Sequence, residues 1–333
     1  MRWGLIGAST IAAQHMIGAI RQQPGGDVAH VVSSSAERGA AYADEHSIPA
    51  SGTSVDTCVN DPGIQAIYIS TTNEKHFDQA MAAITAGKHV LCEKPLAMEL
   101  NQAVIMVRAA QDAGVVFATN HHLRCSGSHR TMKGLIDAGK IGKILSVRIF
   151  HAVHLPENLQ GWRIDDKSAG GGVVLDIVVH DADVTRFLTG EDPVKVSAMT
   201  SASGMGQGVE DSSMVLMMTA SGAMVSTHES FTHPFANTGV EVHGTEGSLI
   251  SRTTMSQRPV GEIELVTATG RENVSFPDTN LYVTGLNDFY RAVAGRGRPA
   301  ADGPDGVKSL AVALAALKSA ETGRVQDVDY GGI

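Results

Sequence analysis

Cysteine, long apolar runs and positive charge are all scarce in this sequence, and each shortage excludes a class of protein. Only three cysteines occur in 333 residues, and their wide spacing (Cys58, Cys92 and Cys125) does not form a disulfide framework, so a reducing, cytoplasmic environment is expected. No apolar run reaches the ~18 residues of a membrane-spanning helix. A net charge of −9 argues against nucleic acid and membranes as partners. A strand-like run begins at Arg2, so we expect no signal peptide.

The first third of the chain alternates short apolar runs with helical patterns. Strands are predicted at residues 3–7, 28–33, 66–70, 89–92 and 115–120, and helices at about 11–20, 37–46, 76–86 and 99–113. Strands separated by helices of this length are typical of βαβ units and of a parallel, doubly wound sheet. The pattern therefore predicts an α/β Rossmann domain over residues 1–121.

The pattern changes after residue 121, where the apolar runs become longer and alternate with polar residues. Strands are predicted at 144–153, 194–203, 212–219, 223–232 and 239–243. They indicate an α+β domain over residues 122–333 with an open, mostly antiparallel sheet. A face with Ser226, His228 and Ser230 is polar, which slightly favours a monomer over a homo-oligomer. An amphipathic helix at about 306–322 is expected to pack back near the first domain or at an interface.

The first strand is followed by a turn with the sequence Gly-Ala-Ser-Thr-Ile-Ala. It occupies the place of the G-x-G-x-x-G dinucleotide-binding motif, with Ser9 and Ala12 at the second and third glycine positions. Both residues are small, and the helix that follows offers free N–H groups to phosphates. The predicted cofactor contacts in this turn are Gly7, Ser9, Thr10, Ile11 and Ala12.

The end of the second predicted strand indicates which nicotinamide cofactor is bound. An NAD-specific domain usually has an acidic residue there, which binds the ribose 2′-hydroxyl. This strand ends in serines instead, so Ser33 and Ser34 can donate to a 2′-phosphate and Arg38 can pair with it. We therefore expect NADP(H), with dual specificity as the alternative.

A lysine follows the fourth strand in the tripeptide Glu93-Lys94-Pro95. By itself this tripeptide describes a surface loop, but the end of a parallel strand is where such sheets bind ligands. Further along, Gly170-Gly171-Gly172 leads into a helical pattern that places Asp176 and His180 on one face. Asp183 shares that face and is interpreted as structural. A purely structural Asp–His pair is the alternative interpretation.

Together with the N-terminal turn, these motifs resemble the glucose–fructose oxidoreductase/inositol dehydrogenase/rhizopine-catabolism (Gfo/Idh/MocA) family along nearly the whole chain. The resemblance implies hydride transfer between NADP(H) and a small sugar substrate, in the direction of keto-sugar reduction. It implies Lys94 as proton donor, His180 as proton relay or hydrogen-bond donor, and Asp176 as a substrate-orienting group. Whether Lys94 or His180 delivers the proton stays open.

Several other residues are weaker candidates, each with a packing or surface role as the alternative. Strand ends and family position predict further cofactor contacts at Thr71, Thr72, Asn73, His76, Glu93, Lys94, Asn120, Trp162, Arg163 and Tyr282. His151 and His154 flank the same region and are candidates for contacts with sugar hydroxyls. No metal is expected, because adjacent His121 and His122 point apart in a strand and no third ligand accompanies Asp176 and His180.

Two alternative functions remain at this point. One is a different sugar or inositol dehydrogenase of the same family, using NAD in the oxidative direction. The other is a non-catalytic nucleotide-binding sensor or co-repressor. The joint presence of Lys94, Asp176 and His180 argues against the second.

Overall fold

A computed structural model describes residues 1–333. The chain forms two compact units. The first comprises residues 1–121, 282–307 and 333, and the second comprises residues 122–281 and 308–332. The N-terminal stretch of the first unit ends at residue 121, and residues 282–307 group with it, so the predicted division into residues 1–121 and 122–333 stays a prediction. No helix is both long and apolar enough to cross a membrane.

The first unit contains a six-stranded sheet with the order β3-β2-β1-β4-β5-β6, in which all neighbours are parallel. Its strands are β1 (Arg2–Ile6), β2 (Asp27–Val32), β3 (Ala50–Gly52), β4 (Ala66–Ile69), β5 (His89–Cys92) and β6 (Phe117–Thr119). Every residue of β4 is buried. This is the pattern of a parallel strand covered on both faces, and it explains the continuous apolar runs in the sequence.

Short helices connect these strands. They are α1 (Ile17–Arg21), α2 (Ala36–Glu45), α3 (Val55–Val59), α4 (His76–Thr85) and α5 (Leu100–Ala113). Gly87 and Gly114 follow α4 and α5 with φ of +71° and +66°, the left-handed conformation that ends a helix. The Rossmann fold predicted for this part of the chain is confirmed.

The second unit contains a nine-stranded sheet with the order β14-β13-β12-β11-β7-β10-β9-β8-β15. Its strands are β7 (Ile144–Ala152), β8 (Pro193–Ser201), β9 (Ser212–Thr219), β10 (Met224–Ser230), β11 (Gly239–Gly244), β12 (Gly247–Arg252), β13 (Glu262–Thr267), β14 (Gly270–Val274) and β15 (Gln326–Asp327). Only β7 and β10 pair in parallel. The mostly antiparallel sheet is confirmed, although the last four of these strands were not predicted.

The two faces of this sheet differ in exposure. Residues such as Val215 and Val225 are buried, whereas the opposite face carries exposed apolar side chains. These are Met199, Met214, Leu216 and Met224. Ser230, which was expected on the polar face, is buried. The exposed face is thus less polar than the sequence pattern indicated, and the preference for a monomer stays a prediction.

The helices of the second unit are α6 (Gly127–Asp137), α7 (Trp162–Asp165) and α8 (Val179–Thr189). Two helices follow the sheet, α9 (Leu281–Val293) and α10 (Gly303–Thr322). The predicted amphipathic helix at 306–322 corresponds to α10, but most of its side chains between residues 305 and 317 are buried. Its first turn groups with the first unit and the rest with the second.

Candidate active site

The phosphate-binding turn of the first unit depends on a glycine after β1. Gly7 has φ of +115°, and a Cβ there would lie 2.9 Å from the carbonyl oxygen of Ser70. Any side chain would therefore be strained and would displace the neighbouring strand end. Ser9 Oγ accepts a hydrogen bond from the N–H of Ala12 at 3.2 Å and is 2.7 Å from Ser70 Oγ. The serine at the second glycine position thus caps the helix that follows.

That helix begins with a π-helical turn over Ala12–Met16, followed by α1. Ala12, at the third glycine position, is fully buried, so its small size is required by packing. Thr10 is exposed and Ile11 is half-buried. The turn therefore has the form of a phosphate-binding loop despite lacking two of the three glycines.

Helix α2 contacts the same turn from the end of β2. The side chain of Arg38 donates to the carbonyl oxygen of Ala8 at 2.6 Å, and Tyr42 Oη donates to that of Ser9 at 3.0 Å. Tyr42 was not predicted from the sequence, although it lies four residues after Arg38 and hence on the same helix face. The arginine and tyrosine side chains together hold the outer side of the turn.

The two serines after β2 differ in exposure. Ser33 is 6% exposed, and its Oγ is buried without a hydrogen-bond partner, whereas Ser34 is exposed. A buried hydroxyl without a partner is costly unless a ligand satisfies it. With Arg38 nearby in the chain and no carboxylate at the strand end, this position suits a phosphate group.

The loop after β4 contains Thr71, Thr72 and Asn73, of which Asn73 is buried. His76 follows and is fully buried. Its Nδ1 lies 2.8 Å from the carbonyl oxygen of Pro95, and its Nε2 lies 3.2 Å from that of Thr71. Burial lowers its pKa. The predicted contact of His76 with the cofactor is therefore better described as support, because its ring joins this loop to the segment that carries Lys94.

Glu93 anchors the segment after β5. Its Oε1 accepts from Tyr68 Oη at 2.5 Å and from Asn120 Nδ2 at 2.6 Å. Burial and the Glu93 carboxylate raise the pKa of Tyr68, which keeps its hydroxyl as a donor. Tyr282 is also buried, and its ring stacks on that of His15 at 4.6 Å. These contacts fix the backbone on the N-terminal side of Lys94, which is itself half-buried.

The candidate residues of the second unit surround the start of its long buried helix. That helix opens with a π-helical turn over Val174–Val178 and continues as α8. Such turns occur often at functional sites. Gly172 has φ of +112° and leaves room for the side chain of Glu210. A Cβ on residue 172 would lie only 2.3 Å from Glu210 Oε1. Glu210 accepts from the N–H of Val174 at 3.2 Å and so caps this helix.

Asp176 lies in the π-helical turn, where Arg163 Nε is 3.6 Å from its carboxylate. The guanidinium of Arg163 also packs over the ring of Trp162 at 4.6 Å. The predicted pair Trp162-Arg163 and the predicted Asp176 are thus brought into one cluster. Their proximity could not be deduced from sequence spacing, because the glycine loop lies between the pair and Asp176.

His180 is 7% exposed and lies among other histidines. Its ring centroid is 4.8 Å from that of His122 and 6.4 Å from that of His151. His151 therefore belongs to the surroundings of His180, whereas His154 is exposed. The structural interpretation of Asp183 holds, because this buried carboxylate accepts two hydrogen bonds of 2.7 Å from Arg124.

Comparisons with known proteins match both units. Residues 1–121 match the oxidoreductase family with an NAD-binding Rossmann fold, and residues 129–250 match the GFO/IDH/MocA C-terminal domain. The chain is 54% identical over 331 residues to the 1,5-anhydro-D-fructose reductase of Ensifer adhaerens, covering 99% of each protein. It is 28% identical to the inositol 2-dehydrogenase of Rhizobium meliloti, covering 96% of each.

A solved structure of levoglucosan dehydrogenase in complex with NADH and levoglucosan is similar throughout. It superimposes with a TM-score of 0.88 and 25% identity, covering 98% of this chain and 99% of that one. The resemblance drawn from the sequence motifs is thereby confirmed, and the chain belongs to the Gfo/Idh/MocA family of oxidoreductases.

Proposed function

We propose that this protein reduces a cyclic keto-sugar with NADPH, converting 1,5-anhydro-D-fructose to 1,5-anhydro-D-mannitol. The assignment of this substrate rests on the 54% identity to a 1,5-anhydro-D-fructose reductase, which extends over 99% of both chains. Identity at that level includes both the Rossmann unit and the unit with Asp176 and His180. The Gly-Ala-Ser-Thr-Ile-Ala turn and the serines after β2 also favour this subgroup of the family.

The choice of NADP(H) over NAD(H) rests on the end of β2. A carboxylate there would repel a 2′-phosphate, and none is present. The buried Ser33 hydroxyl without a partner and the Arg38 guanidinium offer a neutral donor and a positive charge instead. The turn from Gly7 to Ala12 would hold the pyrophosphate, and the loop from Thr71 to Asn73 would contact the ribose.

When bound, NADPH supplies the hydride that is transferred to the carbonyl carbon. Lys94, as an ammonium ion, donates a proton to the carbonyl oxygen and stabilises the negative charge that develops on it. His180 relays that proton or donates a hydrogen bond to the same oxygen. Asp176, held by Arg163, accepts from a neighbouring sugar hydroxyl and so orients the ring.

Initial rates with NADPH and NADH, measured across keto-sugars and polyols, test this proposal. The expected result is that reduction of 1,5-anhydro-D-fructose with NADPH has the highest kcat/KM. Faster oxidation of inositol with NAD than reduction of any keto-sugar would identify an inositol dehydrogenase instead. Lys94→Ala is expected to abolish most turnover of the best substrate, and unchanged turnover would refute its role.

The relation to an inositol 2-dehydrogenase makes a sugar or inositol dehydrogenase the second candidate, distinguished by those rates. A non-catalytic sensor is disfavoured by the three retained residues. We also propose a cytoplasmic location, since the three cysteines are buried and form no disulfide. Light scattering tests the proposed monomer.

A further inference from the structure

A row of polar side chains crosses three neighbouring strands on the inner face of the nine-stranded sheet. Ser213 of β9 pairs with Glu229 of β10, and Glu229 pairs with His151 of β7. Directly paired residues point to the same side of a sheet. Asp181 of α8 meets this row from above, because His151 Nδ1 lies 2.7 Å from its Oδ1. Both carboxyl groups belong to residues that are 0% exposed.

The hydrogen bonds within this group leave one oxygen of each carboxyl group without a conventional donor. Ser213 Oγ donates to Glu229 Oε2 at 2.7 Å. Asp181 Oδ2 and Glu229 Oε1 are both buried and have no hydrogen-bond donor. The two carboxyl groups are neighbours, because His151, which contacts Asp181, is paired directly with Glu229 across the strands, and each carboxyl group shifts the pKa of the other. Two carboxyl groups can form a hydrogen bond only if one of them carries a proton.

The proton of the pair is assigned to Glu229. Burial raises the pKa of both carboxyl groups, but their mutual contact lowers that of Asp181 and raises that of Glu229, an effect that the hydroxyl groups of Ser213 and Thr227 oppose less strongly. A second uncompensated negative charge at this depth would be very costly. Asp181 instead faces the His151 ring, whose N–H favours an ionised acceptor.

We propose that Asp181 and Glu229 share one proton and one negative charge, and that this carboxyl pair positions His151 beside His180. With Nδ1–H donated to Asp181, the neutral His151 ring has Nε2 as its acceptor nitrogen. The ring of His180 is 6.4 Å away, and His122 lies against His180 at 4.8 Å. Asp181 and Glu229 are positioning residues, and this role rests on the function proposed above because His180 acts in that reaction.

Amide substitutions separate the two members of the pair. In Asp181→Asn, the protonated Glu229 donates its hydrogen bond to the oxygen of the new side-chain amide. Because that oxygen faces Glu229, the N–H₂ of the same amide faces His151 Nδ1. The ring must then adopt the other tautomer, so kcat for keto-sugar reduction is expected to fall on the order of 100-fold, with a smaller change in KM. A change confined to KM would overturn the proposal.

The expected result at the other position is rescue by the conservative variant. Glu229→Leu removes the donor to Asp181 and should lower kcat. Glu229→Gln restores an N–H donor in place of the acid O–H, so its kcat should return to within about 3-fold of wild type, the scale of one neutral hydrogen bond. If glutamine were as damaging as leucine, Glu229 would have to be ionised and the proposal would be wrong.

Infrared difference spectroscopy tests the shared proton without any assay of activity. The wild-type protein at neutral pH should show the C=O stretch of a protonated carboxylic acid, and Glu229→Gln should remove it. Asp192→Asn is the matched control, because Asp192 is ionised and paired with Lys308 and Arg186, so the band should persist. Absence of the band in wild type, or its persistence in Glu229→Gln, would overturn the proposal. If the band behaves as expected but no keto-sugar is reduced, the proposed function fails and the shared proton stands.

Discussion

Replacing Asp211 by asparagine should destabilise the second unit strongly. This carboxylate is 0% exposed and accepts hydrogen bonds from the loop that precedes β9. The N–H and Oγ of Ser203 donate to Oδ1, both at 2.8 Å, and the N–H groups of Gly204, Met205 and Gly206 donate to Oδ2 at 2.7–2.9 Å. An asparagine oxygen can replace Oδ1, but its N–H₂ group would oppose the three N–H groups at the Oδ2 position.

The magnitude follows from those three bonds. At about 1.5 kcal/mol for each hydrogen bond to a charged group, their loss lowers the free energy of unfolding by about 4.5 kcal/mol. For a unit of this size, that corresponds to a decrease in Tm of about 9–18 °C. Differential scanning calorimetry measures it directly. Because Glu210 precedes Asp211 and caps the helix with Asp176, loss of activity should accompany the lower Tm.

Asp166→Asn is the matched control for this change. Asp166 also accepts from backbone N–H groups, those of Ser168 and Ala169, but water reaches this half-buried side chain. Its replacement should lower Tm far less than Asp211→Asn does, since water can replace the lost bonds. If both variants shifted Tm equally, or Asp211→Asn by less than about 2 °C, the reasoning about the buried carboxylate would be refuted.

The same carboxylate predicts a pH dependence. Burial opposes ionisation of Asp211, but the donors of the 203–206 loop outweigh it and hold the pKa of this carboxyl group well below its ordinary value. A lowered folded-state pKa contributes stability that is present above the unfolded pKa and is lost as pH falls toward the folded one. Wild type should therefore lose stability below about pH 4 more steeply than Asp211→Asn, as followed by urea unfolding at several pH values.

Three further predictions concern the first unit. Gly7→Ala should weaken NADPH binding and lower Tm, because a Cβ would lie 2.9 Å from Ser70 O at φ of +115°; fluorescence titration of NADPH checks it, and unchanged affinity would show that the turn is not used. Ser33→Asp should shift the ratio of kcat/KM for NADPH over NADH by about 10–100-fold toward NADH. It places a carboxylate against the 2′-phosphate, so the interaction of the enzyme with NADPH is weakened by about 1.5–3 kcal/mol. Ser34→Asp, at an exposed position, is the comparison. Tyr42→Phe removes the 3.0 Å bond to Ser9 O and should raise the KM for NADPH about 3-fold, the effect of one neutral hydrogen bond, while kcat stays constant; a fall in kcat alone would contradict it.

Much of the fold was predictable because local patterns agree with it. The β1–Gly7–helix sequence and the glycines after α4 and α5 each have a local physical cause. The turn between the antiparallel strands β9 and β10 is of the same kind, with Gly222 at φ of +88°. Strands β12 to β15 were missed because β15 has only two residues and β12 to β14 together contain more polar than apolar residues. Helix α10 was expected to be amphipathic, but burial on most sides depends on which elements surround it.

The sequence by itself determined the Rossmann unit and the family. It also singled out Lys94, Asp176 and His180 as candidates, because strand ends and helix spacing are local properties of a chain, while the roles proposed for them come from the family resemblance. Only the tertiary structure decided which side chains support them. Glu210 caps the helix of Asp176, Arg124 pairs with Asp183, and Glu229 meets Asp181 and His151 across the sheet. Partners of this kind are separated by tens of residues, and no periodicity within a single segment encodes their meeting.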